Sequence, residues 1–308
     1  MIGTAVNFFP DPPLRETGIP TPTPFEGDRP DDDPVPSHGF RAGSLLDVRG
    51  LVVSPGGSPL GAVDAVNLSV SHGESLGLVG EPSPGMFSVA LAIAGRLPEG
   101  AVIETGSILL DGQELVGLGR RPAVRILGEA VGYLPADPLS DFDLARSVGN
   151  QLAGALWKRL GVTADVARQR VIELFDLVGI ADPAAQARLR PGDLDPVDLH
   201  RVGLAAVLSG DPALVIAVSP GAMLDGDERA AHTALLRAVW HANEFALLVA
   251  ADDFDAIAGS CDRVAVLEEG RIVGQGSVAE IRESRYGAKS ARSVASIMSA
   301  SSDVMSAD

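Results

Sequence analysis

The segment Gly80-Glu81-Pro82-Ser83-Pro84-Gly85-Met86-Phe87 carries two glycines at the separation of the phosphate-loop pattern G-x-x-x-x-G-K-[ST]. In such a loop backbone N–H groups cradle phosphate oxygens, the lysine reaches the outer phosphates, and the hydroxyl ligates Mg²⁺. The glycines are here and the working groups are not. Met86 stands at the lysine position, Phe87 stands at the hydroxyl position, and Pro82 and Pro84 each remove an N–H donor. Two readings follow from these residue types. The segment is either a tight strand–helix turn with no ligand, or a weak nucleotide site served by the N–H groups of Gly85, Met86 and Phe87.

The flanking sequence is what such a loop needs. The apolar run Leu76-Gly77-Leu78-Val79 precedes it as a strand, and Val89-Ala90-Leu91-Ala92-Ile93-Ala94 follows it as a helix. Residues 45–53 and 62–70 alternate in polarity like paired strands joined by a Gly/Pro turn, and 107–115 adds a further strand with a turn. Helical periodicity dominates 144–181, where Val166, Val171, Leu174, Leu177 and Val178 recur at three- and four-residue steps. Residues 213–218 and 245–250 are short and wholly apolar, as buried parallel strands are. Residues 263–273 read as a closing hairpin. The expected fold is an α/β domain with an inserted helical segment and an antiparallel edge sheet.

Composition narrows the function classes. A chain of 308 residues, 46% hydrophobic, can bury a sizeable core. It has no apolar stretch long enough to span a bilayer and no basic-then-apolar start typical of a secretion signal. The net charge of -17 argues against a nucleic-acid partner. The single cysteine, Cys261, fits a reducing compartment and reads as a small buried hydrophobe. His200 and His241 lack spaced partners, so no metal site is expected. No G-x-S-x-G turn or dinucleotide fingerprint is present. Residues 1–43 hold nine of the 22 prolines and the run Asp31-Asp32-Asp33, and are expected to be a disordered acidic tail. Residues 283–308, Ser/Ala-rich, are expected to be a flexible tail.

From Leu45 to about Ile281 the chain resembles the ATP-binding cassette (ABC) subunits of peptide-type importers, the oligopeptide, dipeptide and nickel group. The resemblance rests on seven ordered phrases: Ala65-Val66-Asn67-Leu68-Ser69-Val70, Leu76-Gly77-Leu78-Val79-Gly80-Glu81, Gly106-Ser107-Ile108-Leu109-Leu110-Asp111-Gly112, Asp137-Pro138-Leu139, Asp176-Leu177-Val178-Gly179-Ile180, Cys261-Asp262-Arg263-Val264-Ala265-Val266 and Gly270-Arg271-Ile272-Val273. It implies a P-loop NTPase (RecA-like) cassette spanning 44–282, with an antiparallel β-subdomain and a helical subdomain at about 138–196.

The resemblance also implies where each functional group belongs. The nucleotide site falls on Gly80, Glu81, Gly85, Met86 and Phe87. The γ-phosphate-sensing glutamine falls at Ala136, the metal-holding aspartate at Val218, the catalytic glutamate at Ser219 and the switch histidine at Ala251. Pro55 takes the place of the adenine-stacking aromatic. The signature that reaches the opposite subunit falls on Leu194-Asp195-Pro196-Val197-Asp198. Asp225 is the subunit-interface aspartate, with Asp195 and Asp198 on the same interface. Asp137, Pro138 and Leu139 lie in the stretch from Ala136 through Leu152 where members of the family grip the permeases.

These substitutions lead to an expected pseudo-ATPase with no catalytic residue and no metal, binding ATP·Mg weakly at most. Its expected partners are permease subunits and a second, intact ATP-binding subunit, on the cytoplasmic face of the membrane, which it reaches only through the permeases. A free-standing interaction module no longer tied to transport is the alternative, and an active importer ATPase with substitute residues is a third reading.

Overall fold

A computed structural model describes residues 43–58, 60–80 and 85–284. The expected tails at 1–43 and 283–308 lie almost wholly outside the described residues, as do Glu81, Pro82 and Pro84.

The described residues form two sheets and a helical layer. The first sheet is antiparallel, in the order β2-β1-β4-β5: β1 (Ser44–Ser54), β2 (Val63–Ser71), β4 (Val102–Leu110) and β5 (Gln113–Glu114). The second has the order β10-β9-β3-β8-β7-β6 and is parallel apart from β10. Its strands are β3 (Ser75–Gly80), β6 (Val131–Leu134), β7 (Leu214–Val218), β8 (Ala246–Ala251), β9 (Arg263–Glu268) and β10 (Arg271–Ser277). The helices are α1 (Gly85–Ile93), α2 (Arg120–Ala130), α3 (Val148–Leu160), α4 (Ala164–Leu177), α5 (Pro183–Gln186), α6 (Pro196–Leu208), α7 (Gly226–Asn243), α8 (Phe254–Ala258) and α9 (Val278–Glu283).

The burial of each strand explains its sequence. β3, β7 and β8 are buried at every position, so no alternation survives in them. Their alternate residues serve two cores. Leu214, Ile216 and Val218 of β7 join the core shared with α1 and the antiparallel sheet, whereas Val215 and Ala217 join the core shared with α3, α4, α6 and α7. β8 divides the same way, Leu248 and Ala250 against Leu247 and Val249. In α4 the buried positions Ala167, Val171 and Phe175 repeat every four residues and give the helix one inward stripe.

The structure departs from the sequence reading in two places, the helical stretch and β6. The helical stretch at 144–181 is two helices, α3 and α4, separated where Gly161 takes a left-handed conformation (φ +64°) and Thr163 caps α4. The antiparallel strands form a sheet of their own, the β-subdomain that the resemblance implies, and the antiparallel edge of the parallel sheet is β10 alone. β6, the opposite edge, was not expected: Val131-Gly132-Tyr133-Leu134 is too short to show a period.

Candidate functional site

In a mostly parallel sheet ligands gather outside the C-terminal ends of the strands. The register brings the expected positions together there. Val79 pairs with Ala251 and Val218 pairs with Ala250. Ser219 N donates to Ala250 O at 2.7 Å, so Ser219 lies beside Ala251 at the same edge. Gly80 ends β3, and Ala136 follows β6 on the far side of β7.

The side chains at this edge are set by packing. Met86, in the first turn of α1, is 0% exposed and belongs to the core between α1 and the two sheets. Its sulfur sits 3.6 Å from where a Cβ on Gly80 would stand. Phe87 is half-buried against the same core. Gly85 is held close: a Cβ there would meet Ala62 O at 3.0 Å and Leu267 Cδ2 at 3.2 Å. Ser88, the nearest hydroxyl along α1, is buried and donates to Gly61 O at 2.6 Å. Val218 is 9% exposed and Ala251 4%. Among the described residues Asp137 adjoins Ala136 and Asp252 adjoins Ala251, both at exposed positions. Among the described residues no group of three or more His, Cys, Asp or Glu side chains could hold a metal ion.

The loop after β7 is tightly ordered. Ser219 holds φ at +41°, a left-handed value uncommon for a residue with a side chain. Ala222 N donates to Ser219 O, and Leu224 N to Gly221 O, each at 3.0 Å. Arg229 reaches back from α7, donating to Gly221 O at 3.2 Å and Leu224 O at 3.0 Å. Asp225 caps α7 in a reciprocal box: its Oδ1 accepts from Glu228 N at 2.9 Å, while Asp225 N donates to Glu228 Oε2 at 3.3 Å.

The signature-equivalent residues begin another helix. Asp195 caps α6, accepting from Asp198 N at 2.8 Å, and Pro196 opens the helix. Asp198 is nearly buried and pairs with Arg201 at 3.1 Å. His200 is buried beside His232 of α7, ring centroids 5.1 Å apart. Burial pushes both rings down, and His232, also facing His200 and Arg201, reaches about 4. Asp137 accepts from Leu139 N at 2.9 Å. Pro138 is buried against α6, where Gly203 lets it approach: a Cβ on that glycine would lie 3.0 Å from Pro138 Cβ.

A polar cluster absent from the sequence reading joins α1 to the turn after β6. Arg96 lies over the Tyr133 ring, 4.6 Å from its centroid, and its Nη1 is 3.3 Å from Asp141 Oδ1. Asp141 is buried, which raises its carboxyl above the usual range against the opposing pull of Arg96. Nothing in the local sequence pairs residues so far apart, and only the fold does so.

No known protein-family model matches the chain. Individual proteins do. The oligopeptide transport ATP-binding protein OppD of Mycobacterium tuberculosis is 34% identical over 246 residues, covering 78% of this chain and 40% of that protein. OppD of Bacillus subtilis is 30% identical over 245 residues, 79% of this chain and 68% of the relative. The dipeptide transport ATP-binding protein DppD of Haemophilus influenzae is 30% identical over 246 residues, 79% and 74% respectively. The chain thus spans about two fifths of its mycobacterial relative's length. Among solved structures, cbiO1 from Clostridium perfringens, part of the ABC transporter complex cbiONQ, superposes with a TM-score of 0.66 at 23% identity, covering 79% of this chain and 92% of that one. The ATP-binding cassette MJ0796 superposes with a TM-score of 0.65 at 18% identity, covering 76% of this chain and 99% of that one.

Proposed function

From a chain that belongs to the ATP-binding subunits of oligopeptide and dipeptide ABC transporters, we propose a hydrolysis-deficient member that serves its transporter as a structural or regulatory subunit. One observation carries this reading. At the C-terminal edge of the parallel sheet, the positions where the family resemblance puts a cation, a metal-holding carboxylate, a general base and a switch imidazole hold Met86, Val218, Ser219 and Ala251. Three of these four are buried and apolar, and the fourth is neutral.

This donor set does not fit an Mg-nucleotide. Phosphoryl transfer is positioning plus electrostatic stabilisation of charge spread over the transferred group, and none of these side chains supplies either. No hydrolytic step is therefore assigned to this chain. What the backbone keeps is the ordered loop from Ser219 to Asp225, clasped by Arg229 and capped into α7. That order favours retention of subunit contacts through Asp225, Asp195 and Asp198. The stretch opening with Asp137, Pro138 and Leu139 is proposed as the seat of permease subunits, with a second, intact ATP-binding subunit as the other partner. No helix among the described residues is long and apolar enough to cross a membrane, so attachment to the inner face of the membrane would run through those permeases.

Purification of the full chain from its native cell in mild detergent, followed by mass spectrometry, tests the assignment. Permeases and another ATP-binding subunit are expected in stoichiometric amounts. Their absence, with the chain recovered alone or with soluble proteins, would favour an interaction module detached from transport.

A further inference from the structure

Away from the strand ends, α3, α4 and the strap after α5 border an open-mouthed cavity of about 580 Å³, whose arginines and Asn150 are all exposed. Its walls include Arg146, Arg168, Arg188 and Arg190, together with Asn150 and Trp157, and no acidic residue. The chain as a whole has 41 acidic residues against 24 basic ones, so an acid-free arginine cavity runs against its composition. We propose that this cavity is a binding site for a nucleoside polyphosphate, its phosphates held by the arginines and its base laid on Trp157.

Charge is the first reason. Arg146, Arg188 and Arg190 make no ion pair among the described residues, and Arg168 pairs only with Asp165, whose side chain is 96% exposed. An exposed pair of that kind neutralises little. Guanidinium groups gathered around one opening with so few counter-charges repel one another, and each offers the planar fork that matches a phosphate bidentately. The second reason is Trp157, which leaves 54% of its surface exposed at the same cavity. An indole face is a platform for any base, and Asn150 places both a donor and an acceptor nearby. Size is the third, because the volume lies within the roughly 300–1,000 Å³ common for small-molecule sites.

The walls are also fixed in place. Val148 N donates to Leu189 O at 2.9 Å and Gly149 N to Ala187 O at 3.0 Å, tying the strap that bears Arg188 and Arg190 to the start of α3. The site stands independently of the hydrolysis reading, since none of its residues lies at the strand ends. Arg146, Ser147 and Asn150 do fall in the 136–152 stretch proposed as the permease seat, so nucleotide and permease would compete for them.

Calorimetric titration of the full chain in EDTA tests this, with ATP, inorganic tripolyphosphate and hexaglutamate as probes. ATP is expected to bind at one site about tenfold or more tighter than tripolyphosphate, the difference set by stacking on the indole. Arg188→Gln with Arg190→Gln should weaken both phosphates at least tenfold, since two charge-assisted contacts are lost. Trp157→Leu should erase the preference for ATP. Gly154→Phe keeps every charge but puts a ring into the cavity beside Trp157, and a Cβ there meets no atom within 4 Å, so folding should survive while binding weakens at least tenfold. No heat with millimolar ATP would overturn the proposal. So would binding that ignores the arginine and Gly154→Phe substitutions, which would move the ligand elsewhere. Equal affinity for ATP and tripolyphosphate would remove the nucleoside. Tighter binding of hexaglutamate than of ATP would reassign the cavity to an acidic protein partner.

Discussion

Replacing Met86 with lysine restores the residue type that the phosphate-loop pattern calls for, and the structure says what that would cost. Met86 is 0% exposed in the core between α1 and the two sheets. No carboxylate is paired with this part of the core among the described residues. An ammonium forced there stays neutral or bends outward along its stem. Full burial depresses a lysine pKa by up to about 3–5 units, at about 1.4 kcal/mol per unit, and bending outward recovers part of that. Met86→Lys should therefore destabilise the fold by about 3–5 kcal/mol. For a domain of this size each kcal/mol moves Tm by about 2–4 °C, so the expected fall is about 6–20 °C. Met86→Leu, which keeps volume and polarity, should cost less than about 1.5 kcal/mol. Urea denaturation followed by tryptophan fluorescence measures both variants. A lysine variant within about 1 kcal/mol of the parent would show that the side chain at 86 opens toward the loop, and would refute the claim that packing has absorbed this position.

Three further outcomes follow from particular residues. His232 is held down to about 4 by burial, with His200 and Arg201 adding to the effect, while an unfolded histidine titrates near 6.5. The unfolded chain therefore takes up the proton first, so this contribution to stability is complete above about pH 6.5 and is lost as pH falls toward 4. A pH series of urea midpoints should slope downward across that window, and His232→Leu should flatten it. Asp225→Ala should cost about 1 kcal/mol by removing the cap of α7, measured as a shift in the same midpoint. Cys261 is partly buried against the core, and that burial pushes its thiol up to about 12, so Ellman's reagent at pH 8 should label it far more slowly before denaturant than after. Prompt labelling of the folded chain would contradict the packing of its sulfur beside Gly77, where an added Cβ would lie 3.2 Å away.

The parts legible in the sequence were those with a strong local signal. The run Leu76 to Val79, the loop glycines Gly80 and Gly85, and the alternating strands β1 and β2 each declare themselves through periodicity or turn chemistry. The strand-end positions Ala136, Val218, Ser219 and Ala251 were legible only through resemblance, because apolar and small residues leave no chemical mark. What stayed hidden depends on contacts between distant segments. The cluster of Arg96, Tyr133 and Asp141 joins residues 45 apart, and the His200–His232 pair needs α6 and α7 to be packed before it exists. The left-handed Ser219 has no local cue, since serine does not favour that conformation. Arginines 146, 168, 188 and 190 follow no pattern in the sequence, and only α3, α4 and the strap bring them to one cavity.

The central claim is that this cassette keeps the family's fold without its hydrolysis, and steady-state phosphate release from the purified full chain with Mg·ATP tests it most directly. Release at the buffer background is expected across successive chromatographic fractions, at every nucleotide concentration tried and after mixing with its co-purified partners' permeases alone. Phosphate release that rises and falls with this chain through two unrelated columns would contradict the account, and would mean that residues other than Met86, Val218, Ser219 and Ala251 carry the chemistry.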